Sequence, residues 1–113
     1  MRRLDSLEAL RAETRGPGLH VLFVSQPDCA VCTALLPKVE AAVAAHPPAT
    51  LAYVDASFVT EVASELSVLT VPVVAVYLDG HEVHRQARFV RLAELESGLA
   101  RFAEAATDLD SGI

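Results

Sequence analysis

The chain of 113 residues contains no tryptophan, and only 5% of its residues are aromatic. It has 9 lysines and arginines against 15 aspartates and glutamates, so its formal net charge is -6. Nucleic-acid binding relies on a basic face that neutralises phosphates. The charge therefore argues against nucleic acid as a main partner.

Long apolar runs are also absent from the sequence. The longest, from Val71 to Leu78, is far too short to cross a bilayer, so we expect no membrane association. Charged residues occupy the segment from Met1 to Glu8, where a secretory signal would need an apolar core. These two features predict a cytoplasmic protein. The hydrophobic fraction of 52% indicates a single globular domain over residues 1–113.

Cysteine is scarce, because Cys29 and Cys32 are the only two in the chain. In a reducing cytosol such a pair is more often catalytic or metal-binding than a structural cross-link. A closed zinc site needs four ligands, and the four histidines are scattered over distant segments. His81 and His84 share a predicted hairpin, but alternation sends their side chains to opposite faces. We therefore expect no metal and no cofactor.

The cysteine pair lies between two segments of different periodicity. Before it, an apolar run predicts a buried strand from Leu19 to Ser25. After it, apolar residues at helical spacing predict a helix as far as about Ala45, where His46-Pro47-Pro48 ends it. Pro37 lies within this helix and predicts a kink. The apolar residues of the helix are Leu35, Leu36, Val39 and Val43.

The predicted helix gives the two thiols different environments. If the helix begins near Cys29, the cysteines lie on nearly one face, and their sulfurs are within bonding reach. Cys29 then occupies the helix N-terminus, where unpaired amide groups and the helix dipole favour a thiolate. Cys32 falls on the apolar stripe and should be more buried. An activated thiol beside a shielded one is the arrangement that thiol–disulfide exchange requires.

The other segments also alternate between strand and helix patterns. At the start, the sequence predicts a helix over 5–13 capped by Asp5, with Leu4 in a short preceding strand. After the cysteine helix it predicts a strand at 51–54 and a helix capped by Ser57. That helix carries Phe58, Val62 and Leu66 on one face.

A hairpin and a last helix complete the predicted fold. A strand over 70–78 and an edge strand over 82–90 flank the Asp79-Gly80 turn. Residues at helical spacing mark the final helix, with a frayed tail from Thr107; they are Leu92, Leu95, Leu99, Phe102 and Ala106. The order of elements predicts an α/β fold, a three-layer α/β/α sandwich with a parallel sheet core and one antiparallel strand.

Three motifs together make the chain resemble the thioredoxin family. They are Cys29-Ala30-Val31-Cys32 after a buried strand, Pro37 five residues past the second cysteine, and Val71-Pro72 before a hairpin. The resemblance covers about residues 4–106 and implies one thioredoxin-like domain, with a mixed central sheet and a C-terminal β-hairpin plus helix. It also implies that the Val71–Pro72 peptide bond is cis and faces the Cys29 sulfur.

The resemblance further implies a thiol–disulfide oxidoreductase that reduces protein disulfides. Cys29 would attack a substrate disulfide, and Cys32 would then attack Cys29 and release the reduced substrate. The Val71 backbone would pair with an extended substrate segment. The implied partners are disulfide-containing proteins and a thioredoxin reductase as electron donor. The implied substrate-binding residues are Asp28, Ala30, Val31, Val71 and Pro72.

Several positions depart from the typical family pattern. Asp28 replaces the tryptophan that usually precedes the first cysteine, and its charge should oppose a Cys29 thiolate if the two lie close. By the resemblance, a buried aspartate and its lysine partner would fall near Phe23 and Leu51, both of which we expect in the core. These departures motivate an alternative, a thioredoxin-fold binding or redox-sensing module with weak or no turnover.

Other segments have alternatives of their own. Thr70-Val71-Pro72 is similar to the glutathione-binding motif of glutaredoxins, but the Gly-Gly pair expected downstream is missing between His81 and Phe89. Bulky Arg88 or Phe89 stands where thioredoxins have a small glycine before the last helix. The arginines at 85, 88 and 91 are interpreted as a solvated edge, with docking of an acidic partner as the alternative.

Overall fold

The structure, a computed structural model, describes residues 1–110. These residues form five strands and four helices. In chain order they are β1 (Arg2–Leu4), α1 (Leu7–Arg15), β2 (Leu19–Ser25), α2 (Ala30–Ala44), β3 (Thr50–Asp55), α3 (Val62–Glu65), β4 (Val73–Leu78), β5 (His81–Ala87) and α4 (Leu92–Asp110). Within this part of the chain, none of the helices has the length and apolar character needed to span a membrane.

The five strands form one mixed sheet in the order β1-β3-β2-β4-β5. β1, β3 and β2 run parallel, whereas β4 runs antiparallel to both β2 and β5. β2 lies in the centre of the sheet and is buried along nearly its whole length. The predicted buried strand is confirmed with its predicted bounds, and the hairpin places β5 at a sheet edge as predicted.

Alternation along β2 divides the core between two layers of helices. Val21 and Phe23 lie in a cluster with residues of α2 and α4 that includes Cys32. Leu22 and Val24 lie in a second cluster with residues of α1 and α3. Because successive side chains of a strand point to opposite faces, the sheet is covered on both sides. The predicted three-layer α/β/α sandwich is confirmed.

The first helix begins later than predicted and has a different cap. The Ser6 Oγ accepts a hydrogen bond from the Ala9 backbone N–H at 3.0 Å, so Ser6 and not Asp5 caps the helix. Asp5 instead accepts a hydrogen bond from Arg3 Nε at 2.9 Å. The helix continues to Arg15, two residues beyond the predicted end.

The helix predicted after Ser57 is wrong over most of its length. Only Val62–Glu65 form α3, and Phe58 is 63% exposed. Ser57 caps no helix because its N–H and its hydroxyl both donate to Asp55 Oδ1, at 2.8 and 2.6 Å. These hydrogen bonds form a local turn that competes with the helix. The hydroxyl of Ser57 also lowers the pKa of Asp55.

The ends of the last elements also differ from the predictions. β4 begins at Val73 rather than Thr70, and β5 ends at Ala87 rather than Val90. The tail predicted to fray from Thr107 is helical to Asp110, and its residues 111–113 lie outside the described residues. The Thr107 hydroxyl donates to the Ala103 carbonyl at 2.9 Å, which ties this turn to the preceding one.

Candidate active site

Cys29 ends the loop after β2 and caps the first turn of α2. Its backbone is extended, with φ -97° and ψ 98°, and the helix begins at Ala30. The Cys29 Sγ accepts a hydrogen bond from the Cys32 backbone N–H at 3.3 Å, as a serine hydroxyl does at an N-cap. The predicted helix start near Cys29 is confirmed. At this position, amide donors and the helix dipole stabilise a thiolate.

Cys29 and Cys32 form a disulfide, and their Cα atoms are 5.3 Å apart. Cys29 is half-buried, whereas Cys32 is only 2% exposed and belongs to the core cluster of α2 and α4. The predicted difference in burial is confirmed. Cys29 is thus the sulfur within reach of an external disulfide, and Cys32 is the shielded partner behind it.

A groove of about 460 Å³ opens beside Cys29. The Val71–Pro72 peptide bond is cis, and Val71 lies on the same groove as Cys29. Most of the residues that line the groove have apolar side chains, among them Ala56, Ala63, Val68 and Leu69, whereas Gln26 and Thr70 are polar. The structure therefore brings Cys29 and Val71 to one surface, although they are distant in the chain, whereas Pro72 is buried next to Val71.

The other predicted substrate-binding residues surround the disulfide. Asp28, Ala30 and Val31 are all exposed, with Val31 at 59%. Asp28 has a left-handed backbone conformation with φ 61°, which aspartate tolerates better than most residues. Asp28 lines a cavity on the Cys32 side and is not among the residues that line the groove of Cys29.

The cavity on the Cys32 side also has a volume of about 460 Å³. Phe23 lines it, is fully buried, and stacks on Tyr53 with ring centroids 6.3 Å apart and planes at 15°. The prediction that Phe23 lies in the core is confirmed, whereas Leu51 is only half-buried beside the same cluster. Apolar side chains therefore occupy the two positions near which the family resemblance would place a charged pair.

The sequence patterns did not single out Arg3, which lines the cavity with Cys32. Arg3 pairs with Tyr53 across β1 and β3, and its guanidinium carbon lies 5.8 Å from the Tyr53 ring centroid. Leu4 belongs to the opposite core cluster, so alternation along β1 turns Arg3 toward the cavity. The weak strand signal at Leu4 was the one sign of this arrangement in the sequence.

Arg88 lies at the end of β5, next to Val71-Pro72. Its backbone N–H donates to the Pro72 carbonyl at 2.7 Å, and its φ is 69°. Arg88, rather than Phe89, thus has the left-handed conformation that glycine adopts without strain. Phe89 is 78% exposed beside it.

The arginines predicted to form a solvated edge have separate environments. Arg85 is half-buried and donates to the Leu66 carbonyl at 2.7 Å, so it is not simply solvated. Arg91 pairs with Glu94 at 3.1 Å, and the Arg88 guanidinium lies over the Phe89 ring. Among residues 1–110, no group of three or more histidines, cysteines, aspartates or glutamates is placed to hold a metal ion.

Known proteins resemble the chain in sequence and in fold. Thioredoxin-like protein YdfQ of Bacillus subtilis (strain 168) is 37% identical over 101 residues, which cover 89% of this chain and 90% of that protein. The solved structure of Fasciola hepatica thioredoxin has a TM-score of 0.78 and 28% identity, over 90% of this chain and 99% of that one. Thioredoxin from Trypanosoma brucei brucei, at 20% identity, shares the fold with a TM-score of 0.81, over 90% and 89% of the two chains.

No protein-family model matches the chain. The similarity to a thioredoxin-like protein nevertheless extends over most of both sequences, and the neighbours in fold are thioredoxins. The Cys-x-x-Cys pair forms a disulfide at the start of α2. The chain therefore belongs to the thioredoxin family, as a divergent, thioredoxin-like member.

Proposed function

We propose that the protein is a thiol–disulfide oxidoreductase that reduces disulfide bonds in protein substrates. The observation that carries this proposal is the N-cap position of Cys29, whose Sγ accepts the Cys32 N–H hydrogen bond at 3.3 Å. Donors at this position stabilise the negative sulfur, which favours Cys29 as nucleophile and as leaving group. The buried Cys32 supplies the second thiol.

Two exchange steps transfer the disulfide from substrate to protein. The Cys29 thiolate attacks one substrate sulfur, forms a mixed disulfide and expels the other substrate sulfur, which takes up a proton. Cys32 then loses its proton and attacks the Cys29 sulfur, which expels the second substrate thiolate. The substrate gains two electrons, and the protein ends with the Cys29–Cys32 disulfide that the structure contains.

The proposed substrate segment lies extended along the groove beside Cys29. Val71 precedes β4, so its backbone lies beyond the last pair of the β2–β4 ladder, Val24 with Val73. An extended peptide can pair with such a segment as an added strand. The exposed Leu69 supports apolar contact there. Among the residues proposed to bind the substrate, Val71 lies on this groove next to the buried Pro72. The others are exposed around the disulfide, and they are Ala30, Val31 and, on the Cys32 side, Asp28.

Turnover requires a reductant that restores both thiols. We propose a thioredoxin reductase as this electron donor, on the basis of the family. We also propose the cytoplasm as the compartment, because a dithiol reductase works where thiols are kept reduced. The exchange itself uses no cofactor, since both electrons pass between sulfur atoms.

Cysteine variants test the two proposed roles. With dithiothreitol as terminal reductant, Cys29→Ser should reduce a disulfide-bonded peptide no faster than dithiothreitol alone, because a serine hydroxyl does not attack disulfides. In a separate incubation without dithiothreitol, reduced Cys32→Ser should accumulate a mixed disulfide on Cys29, detected by mass spectrometry. The double variant is the matched control and should form no adduct. Full activity of Cys29→Ser would contradict the proposal.

The environment of Phe23 favours a second candidate, a binding or redox-sensing module with weak or no turnover. Phe23 is fully buried in the cluster that contains Cys32, and an apolar environment disfavours the thiolate form of a buried cysteine. The second exchange step would then be slow. A binding module would still capture its partner after both cysteines were replaced. A redox sensor would change its affinity for the partner with the oxidation state of the cysteine pair and would show no turnover.

A further inference from the structure

The second exchange step requires the buried thiol to ionise. Cys32 must lose its proton before it attacks Cys29, yet it is 2% exposed and shares a core cluster with Phe23. Apolar surroundings oppose this ionisation, since they solvate a thiolate poorly. β2 contributes Phe23 where a carboxylate is usual, so any charged group that acts on Cys32 comes from another element.

The cavity on the Cys32 side brings charged side chains from two such elements. Arg3 reaches it from β1, and Asp28 reaches it from the loop before α2. The other titratable groups in its lining are the hydroxyl of Tyr53 and the amino group of Met1. Arg3 is the cationic side chain among the residues that line this cavity.

The sheet holds Arg3 in a row with the side chains next to Cys32. Arg3 pairs with Tyr53, and Tyr53 pairs with Phe23, so the three lie side by side across β1, β3 and β2. The Arg3 guanidinium carbon is 5.8 Å from the Tyr53 ring centroid, and the Tyr53 and Phe23 centroids are 6.3 Å apart. Two strand spacings separate Arg3 from Phe23, which is about 10 Å.

Further contacts fix the guanidinium at the cavity. Arg3 Nε donates to Asp5 Oδ1 at 2.9 Å, and an Arg3 terminal nitrogen lies 3.9 Å from Asp55 Oδ2. The Phe58 ring centroid lies 5.9 Å from the guanidinium carbon. These contacts hold the guanidinium beside the cavity, and loss of its charge would leave Asp5 and Asp55 without this cationic partner.

We propose that Arg3 stabilises the Cys32 thiolate across this cavity and thereby promotes the second exchange step; this inference rests on the proposed function. Arginine stays protonated, so Arg3 acts through its charge and not as a base. The Cys32 proton passes to water in the cavity. The Cys32 sulfur then bonds to the Cys29 sulfur while the bond from Cys29 to the substrate breaks. Asp28, on the same cavity, opposes this ionisation with its negative charge.

Titration of Cys32 in a Cys29→Ser background tests the proposal. Thiolate absorbance at ultraviolet wavelengths reports Cys32 alone, with the variant that lacks both cysteines as the blank for tyrosine. Adding Arg3→Gln should move the titration midpoint of Cys32 to higher pH. At a given pH below the midpoint, the thiolate fraction of Cys32 should be about threefold lower. The Arg3–Phe23 spacing of about 10 Å sets the scale of this effect, which is that of one charge acting through a partly aqueous path. Adding Arg3→Lys should retain most of the original midpoint.

Arg2→Gln is the matched control, because Arg2 is the neighbouring arginine on β1. Alternation along β1 points the Arg2 side chain away from the cavity and toward Glu13, with which it forms an ion pair. It should leave the midpoint unchanged. Arg3 is 54% exposed, so salt should screen its charge. At about 1 M salt, where the Debye length is about 3 Å, the effect of Arg3→Gln should largely disappear.

Three results would overturn the proposal. The first is an unchanged midpoint in the Arg3→Gln form, and the second is an equal shift in the Arg3→Lys form, which would assign the effect to shape. The third is a shift of the Cys32 midpoint to higher pH with Asp28→Asn, which would mean that the Asp28 carboxylate assists ionisation of the thiol. We expect Asp28→Asn to shift the midpoint to lower pH. The titration uses no substrate, so its result is independent of the activity test with the cysteine variants. The role of Arg3 can be refuted while the oxidoreductase proposal is supported, and the reverse outcome is equally distinguishable.

Discussion

At the scale of single residues, Arg88 combines an unfavourable conformation with a structural contact. Its φ of 69° costs about 1–2 kcal/mol in a residue with a Cβ atom. The Arg88 N–H donates to the Pro72 carbonyl at 2.7 Å, directly after β5 ends at Ala87. The strain is thus located beside the proposed substrate groove, where this hydrogen bond ties the end of β5 to the segment before β4.

Two replacements of Arg88 separate the backbone cost from the side chain. We expect Arg88→Gly to be about 1 kcal/mol more stable than Arg88→Ala in urea unfolding, because glycine tolerates positive φ. Both variants lose the guanidinium contact with the Phe89 ring, so their difference reports the backbone. Ala87→Gly, in the extended β5, is the control, and its free energy of unfolding should be roughly 0.5–1 kcal/mol lower than that of the parent. Equal stability of the two Arg88 variants would contradict a strained conformation.

At the scale of elements, an ion-pair network holds α3 against α1. Arg11 donates two hydrogen bonds to the Glu65 carboxylate, at 2.8 and 2.9 Å, and Arg15 donates a third at 3.1 Å. A helix of one turn gains little stability from its own hydrogen bonds, so such contacts and the buried Val62 fix its position. Ala63 of α3 forms part of the groove beside Cys29. The network therefore supports one wall of the candidate active site.

The Glu65 network predicts a pH-dependent contribution to stability. The hydrogen bond from Arg11 lowers the pKa of Glu65. A carboxylate with a lower pKa in the folded state stabilises the fold above its unfolded value of about 4.3, and the stabilisation disappears as pH falls through the folded value. Glu65→Gln should therefore lower the thermal unfolding midpoint at neutral pH, with a difference that shrinks toward strongly acidic pH.

Glu61→Gln serves as the control for this pH series. Glu61 lies on the same segment, and its side chain makes no capping hydrogen bond to α3. We expect thermal unfolding of this variant to follow the parent at every pH. If the Glu65→Gln difference stayed constant as pH fell, the contribution of Glu65 would come from packing rather than from its charge.

At the scale of the whole molecule, strand register assembles the candidate site. Val24 pairs with Val73, and Val73 pairs with Ala87, so these residues lie side by side across β2, β4 and β5. The loop to Cys29, the Val71-Pro72 segment and Arg88 therefore leave the sheet at the same end. Ser25 and Asp55 also pair there, where β2 and β3 finish. The site thus lies at the carboxyl ends of the parallel strands, a common position for sites in α/β sheets.

The redox equilibrium of the pair is a property of the whole fold, because it compares the stability of the oxidised and reduced proteins. The proposed reductase function predicts a reversible Cys29–Cys32 disulfide with a potential in the thioredoxin range, roughly -270 mV. Equilibration in glutathione or dithiothreitol buffers, with quantification of thiols, measures it. A much less negative value would indicate an isomerase, an oxidant or a sensor. Failure to form the disulfide would contradict the oxidoreductase proposal and favour a binding module.

Neighbouring residues were sufficient to predict much of this protein. The buried Leu19–Ser25 strand, the helix that starts beside Cys29 and the Asp79-Gly80 hairpin all follow from local patterns. Apolar runs, helical spacing and turn residues act within a few positions of the chain, so their consequences can be read without knowledge of distant contacts. The same short-range chemistry placed Cys29 at a helix N-terminus and made Cys32 the buried thiol.

Contacts between distant segments decided the rest. The position of Arg3 beside Tyr53 and the side of the disulfide that Asp28 faces depend on strand register and on the path of a loop. A period-two pattern is unchanged by a shift of two residues, so the sequence pattern does not specify which residues of β1 and β3 lie opposite each other. The left-handed Arg88 likewise depends on its bond to Pro72. The burial of β2 and the pairing of Cys29 with Cys32 at the start of α2 were therefore encoded locally, whereas the charges around the disulfide were arranged by the assembled sheet.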